Sequence, residues 1–97
     1  MKNTIIEMKS INKSTNPIIK IIDKENFYDI HIFLQNLIKE EIIIKYINKF
    51  LILHLSLKNI NNDPLKFKKM IYLNKIDINT IENFVQANYI YLKINKE

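Results

Sequence analysis

Three observations predict an all-β fold built as a β-sandwich. Beyond Ile18, apolar and polar residues alternate with a period of two over most of the chain, the repeat of a strand with one face buried and one in water. β-branched residues are abundant, and they suit a pleated surface better than a helix. Turn-forming groups separate the alternating stretches at spacings of about ten residues, the rhythm of many short strands joined by tight connections.

Residues 1–17 are polar and rich in Ser, Thr and Asn, and they end in Asn16-Pro17. They read as a flexible N-terminal arm with at most a short strand around Ile5. Residues 18–97 then form one folded domain. Ile18 to Ile22 is a first short strand. In Phe27 to Leu34, the residues Tyr28, Ile30, Ile32 and Leu34 share one face, and Asp29, His31 and Phe33 share the other. Gln35 to Glu41 interrupts the alternation. Ile42, Ile44 and Tyr46 resume it, the pair Asn48-Lys49 supplies a compact turn, and Leu51, Leu53, Leu55 and Leu57 make the cleanest inward row of the sequence. That row should be the centre of the core. A helix over Leu37 to Leu51 is disfavoured, because three consecutive Ile lower its intrinsic propensity.

Lys58 to Pro64 holds three Asn, an Asp and a Pro and reads as a loop. Leu65 to Leu73 is a strand with Phe67, Lys69, Ile71 and Leu73 on one side. Asp77 to Glu82 suits a single helical or β-turn, Phe84 to Ala87 a short strand, and Tyr89 to Ile94 a closing strand with Ile90, Leu92 and Ile94 inward.

Composition narrows the function. The 97 residues contain no Cys, Gly or Trp, and 47% are hydrophobic, which is too apolar for a disordered chain. Without Cys there is no disulfide or thiolate metal site, and a reducing cytoplasm is the expected setting. The longest apolar runs, Ile42 to Ile44 and Phe50 to Leu53, fall far short of the roughly 20 residues that span a bilayer, so no membrane partner is expected. The formal net charge of +5 comes from Lys alone, with no Arg. Bidentate phosphate and base contacts are Arg chemistry, so no specific nucleic-acid partner is expected either. His31 and His54 sit on outer strand faces without metal-ligand spacing, and no Gly-rich phosphate loop or paired carboxylates occur. The expectation is a protein that is not an enzyme and takes no cofactor.

The stretch from Phe67 to Lys96 carries a resemblance. Phe67, Lys69, Ile71, Leu73 and Asn74 stand where a known domain has approximately F-x-R-x-F-x-L-P, and Ile76-Asp77 where it has V-D. Ile81 and Asn83 match I-x-A. Ala87, Asn88, Tyr89, Ile90, Leu92, Asn95 and Lys96 then match a segment near N-G-V-L-x-I-x-x-P-K. Upstream, Leu34, Gln35-Asn36-Leu37, Glu41 to Ile44, the Asn48-Lys49 turn and Leu51 to Leu53 follow the first half of the same pattern. The chain resembles the α-crystallin domain of small heat-shock proteins over about Ile18 to Lys96, as a divergent, minimal member.

That resemblance implies an immunoglobulin-like β-sandwich of the α-crystallin type and an ATP-independent holdase that binds unfolding client proteins. It implies a peptide groove between two strand edges, with Ile42, Ile44, Tyr46, Ile81, Asn83 and Val85 as its lining. Lys69, where the family has Arg, is the dimer-interface candidate for a homodimer, reduced to a single-point contact. The family's two glycines are replaced by Asn36 and Asn88, and Asn is the non-Gly residue that best tolerates left-handed backbone angles. Lys58 to Pro64 is much shorter than the loop that exchanges a strand between subunits in the bacterial type. No I-x-I motif follows Lys96, so a dimer or smaller species is expected. A co-chaperone adaptor of the CS-domain kind, docking one native partner, shares the sandwich and the short loop and is the alternative.

Overall fold

The computed structural model describes residues 16–97; the short strand expected around Ile5, and all but the last two residues of the predicted arm, lie outside them. Seven strands follow one another: β1 (Ile18–Asp23), β2 (Phe27–Phe33), β3 (Leu37–Ile47), β4 (Phe50–Asn59), β5 (Pro64–Tyr72), β6 (Glu82–Gln86) and β7 (Tyr89–Asn95). A single 3₁₀ turn, Ile78–Thr80, lies between β5 and β6. The strands form two antiparallel sheets, a larger one in the order β1-β2-β7-β6 and a smaller one in the order β3-β4-β5.

The core between them is apolar throughout. Ile30, Ile32, Ile90, Leu92 and Ile94 project from the larger sheet, and Leu51, Leu53, Leu55, Leu57 and Ile71 from the smaller. Leu34, Leu37, Leu73 and Ile76 close the ends. The predicted inward rows are the observed ones, since period-two patterning is enough to choose a face. Each fully buried Ile or Leu stabilises the fold by about 1.5–3 kcal/mol, and no charged or polar residue is buried among those described.

Three connections differ from the sequence expectation or refine it. Gln35 to Glu41 is not a break between strands: β3 already starts at Leu37, and a bulge between Lys39 and Glu41 shifts its register against β4. The extra residue moves the inward phase from Leu37 to Ile42, Ile44 and Tyr46, which is why the alternation looked interrupted. Glu40, displaced by the bulge, reaches Lys58 at 2.8 Å.

The loop predicted over Lys58 to Pro64 is tighter than expected, since Lys58 still pairs with Pro64 across β4 and β5. The Asn59 side-chain oxygen accepts from the backbone N–H groups of Asn61 and Asp63 at 2.8 and 2.9 Å. That self-contained Asx turn leaves no strand to exchange.

Of the two asparagines replacing glycines, Asn36 does adopt a left-handed angle, at φ 58°, whereas Asn88 does not. Asn88 belongs to a two-residue hairpin between Gln86 and Tyr89 that turns without positive φ, and its carbonyl accepts from Leu34 N–H at 2.9 Å. The other two-residue hairpin, Asn48-Lys49, has φ of 53° and 69°, the type I′ combination that matches strand twist.

Candidate functional site

In an antiparallel pair, directly opposed residues share a face, so register shows which edge residues point inward. On β6, Asn83 opposes Leu92 and Val85 opposes Ile90. Both partners are fully buried, yet Asn83 is exposed and Val85 is 38% exposed. Their side chains face the interior at the rim of the larger sheet, where none of the described residues covers them. Just before β6, Ile81 is half-buried and packs on the core.

The smaller sheet has a similar rim. On β3, Ile42, Ile44 and Tyr46 oppose Leu55, Leu53 and Leu51, and all three remain half-buried while touching the core. Among the described residues, both β3 and β6 are outermost strands with a single paired neighbour, so each presents a row of backbone N–H and C=O groups that no described strand pairs. Tyr46 is partly occupied by its own chain, because its hydroxyl donates to the Leu73 carbonyl at 2.6 Å.

Lys69 lies on the opposite edge of the smaller sheet. It faces Leu53 across β4 and β5 and so points inward at an open rim, exposed. It makes no ion pair among the described residues. Its neighbours in the inward row, Phe67 and Ile71, pack on or within the core.

Periodicity placed His31 outward but did not reveal its company. On the outer face of the larger sheet, β2 and β7 bring His31 beside Phe33, Tyr89 and Tyr91, with ring centroids 5.2–6.4 Å from His31. His31 Nδ1 and the Tyr89 hydroxyl are 2.5 Å apart. The Tyr91 hydroxyl donates to the Asp29 carboxylate, and this hydrogen bond to a charged acceptor pushes the phenol pKa up to about 12. The signal was in the sequence as two outward pairs, His31/Phe33 and Tyr89/Tyr91, but only the β2–β7 register unites them.

The turn before β6 is fixed by side-chain caps. Asp77 accepts from Asn79 N–H at 3.1 Å, and the Thr80 hydroxyl donates to the Asp77 carbonyl at 2.7 Å. Asn95 N–H in turn donates to the Thr80 hydroxyl at 3.0 Å, which ties the turn to β7 and aims Ile81 at the core. Among the described residues, no group of three or more His, Asp or Glu side chains is placed to hold a metal ion. No helix of the described residues is long and apolar enough to cross a membrane.

The two rims carry Ile42, Ile44, Ile81 and Val85 at the edges of a two-sheet sandwich, and a solved structure has a similar fold. The chain is similar to heat shock protein 16.0 from Schizosaccharomyces pombe, with a TM-score of 0.69 and 18% sequence identity, over 84% of this chain and 86% of that one. At that identity the likeness establishes the fold, an α-crystallin-like sandwich, and leaves the activity to be argued from the residues. No known family model matches the sequence, and no curated protein sequence matches it.

Proposed function

We propose that this chain is an ATP-independent holdase that captures unfolding proteins at the uncovered rims of β3 and β6. The observation that carries the reading is a pair of sheet edges whose inward-facing side chains are left partly open, with Ile42, Ile44 and Ile81 half-buried against the core and Val85 38% exposed. An extended apolar segment laid there would bury its side chains at about 25 cal/mol per Å² and add hydrogen bonds to a free strand edge. Asn83 would put an amide on the floor of that site. The likeness of fold to a small heat-shock protein supports the same reading. A homodimer through the β5 edge, with Lys69 at the contact, and a stress role in the cytoplasm belong to the proposal.

The test is light scattering from a heat-labile client warmed with and without the chain, in the absence of ATP. Suppression at near-stoichiometric ratio is expected. Val85→Asp should abolish most of it while leaving the circular dichroism unchanged, since Val85 is already 38% exposed. Full client aggregation beside a folded protein would sink the holdase reading. It would favour the adaptor, which the tight Asn59–Asp63 turn also suits.

A further inference from the structure

The positive charge is not spread evenly over the fold. Leu37 to Tyr72, the span of the smaller sheet, carries seven lysines against three carboxylates, whereas the four strands of the larger sheet carry two lysines against three carboxylates. The register of the smaller sheet sorts its outward residues into rows. Ile47, Phe50 and Tyr72 stand side by side at one end, followed by Lys45, Ile52 and Met70. Next come Ile43, His54 and Lys68, then Glu41, Ser56 and Lys66. One end of the face is therefore apolar and the other basic.

Several of these side chains are largely open to solvent. Ile47, Met70 and Tyr72 are 51%, 50% and 58% exposed. Lys45, Lys66 and Lys68 are exposed and make no ion pair among the described residues. A hydrogen bond runs from Lys66 to the Ser56 hydroxyl at 3.2 Å. A depression crosses the basic rows, where Lys45, His54, Lys66 and Lys68 line it together with one carboxylate, Glu41, and the Ser56 hydroxyl.

We propose that the outer face of the smaller sheet is a docking surface for an acidic, apolar-bearing segment of another protein. Its carboxylates would pair with Lys45, Lys66 and Lys68, and its apolar side chains would lie on Ile47, Phe50, Met70 and Tyr72. Charge complementarity selects the partner: three unpaired ammonium groups around a concavity call for carboxylates that can reach in, and the adjoining apolar rows call for side chains that ammonium groups alone would not hold. A flat anionic bilayer would meet the apolar rows but not the floor of the depression. A single-stranded nucleic acid would stack on exposed rings beside its phosphate contacts, and on this face Phe50 and Tyr72 stand at the apolar end, two rows from Lys68 and three from Lys66. This surface lies on the opposite face of β3 from Ile42, Ile44 and Tyr46 and uses nothing of β6, so it stands whether or not the holdase reading does.

The experiment is fluorescence anisotropy with a labelled short peptide alternating Glu with Leu and Phe, against the same peptide with Lys replacing Glu. The acidic peptide should bind saturably and weaken as salt rises. The double variant K66E/K68E should bind it about tenfold more weakly, and Met70→Asp should weaken it as well, while Val85→Asp should not. All of these positions are exposed, and circular dichroism verifies that each variant is folded. Amide shifts in the wild-type chain should move on β3 to β5. Unchanged affinity in K66E/K68E, equal binding of the lysine peptide, shifts confined to β6 or the larger sheet, or tighter binding of oligo(dT) or anionic vesicles than of the acidic peptide would each overturn the proposal.

Discussion

The two sheets line the core with the same kind of side chain, but their outer faces are spent differently. On the larger sheet, outward polar and aromatic groups are engaged with one another: Tyr91 with Asp29, Tyr89 with His31, Lys93 over the Phe27 ring at 4.5 Å, and Phe33 against Tyr89 at 5.3 Å. On the smaller sheet the outward lysines and apolar side chains mostly face solvent, with Phe50 and Tyr72 in edge contact at 5.5 Å. A sandwich needs only alternation to fold, so outer faces are free to serve either stability or binding. Here the centre of the larger sheet's face, over β2 and β7, is a stabilising network, with Phe84 exposed at its β6 edge, and the smaller sheet's face has no comparable network among the described residues.

The largest effect should not distinguish the sheets at all. Leu53→Ala on β4 and Leu92→Ala on β7 each empty a fully buried site, and each should cost about 2–5 kcal/mol in urea unfolding. A much smaller cost at one of them would mean that its sheet is loosely packed and the comparison false.

The outer faces should then diverge. Tyr91→Phe removes a hydrogen bond to a carboxylate and should cost about 1–2 kcal/mol, whereas Lys68→Ala on the smaller sheet should stay within about 0.5 kcal/mol of wild type. The tyrosine effect has a pH signature. Folding raises the Tyr91 pKa to about 12, above its unfolded value of about 10. The hydrogen bond's stabilisation is therefore fully present below about pH 10 and is lost as pH rises through the folded pKa. The stability difference between wild type and Tyr91→Phe should be constant from neutral pH to about pH 10 and shrink above it. A difference that persists undiminished at high pH would remove Asp29 from the explanation.

How much of this was readable beforehand follows from what each feature depends on. The inward rows Leu51 to Leu57 and Ile90 to Ile94 depend only on period, and both are where the pattern put them. The Asn48-Lys49 turn depends on two residues between two alternating runs, and it was equally legible. The bulge at Lys39 and Glu41 was not, because a one-residue insertion looks like noise until its partner strand is known. The His31 cluster was hidden for the same reason, since Tyr89 is 58 residues away in sequence. For the candidate rims, alternation grouped Ile42, Ile44 and Tyr46 on one face but said nothing of Val85 or of what covers any of them. Their selection rested on the resemblance, and their exposure is a property of tertiary packing.

The smallest effect compares the two tight hairpins, one in each sheet, with the same substitution and opposite signs. Lys49 holds φ of 69°, and a non-Gly residue in that region carries about 1–2 kcal/mol of strain. Lys49→Gly relieves it but frees the unfolded chain, at a cost of about 0.4–1 kcal/mol. The net gain should be about 0.5 kcal/mol, seen as a melting temperature higher by about 2–4 °C. Asn88 lies in a hairpin with no positive φ, so Asn88→Gly has no strain to relieve and only the entropic loss remains. It should lower the melting temperature by a similar amount, even though glycine is the residue that the resembling family carries there. If both substitutions stabilise the chain, the Ala87-Asn88 turn must adopt left-handed angles in solution, and the contrast between the two hairpins disappears.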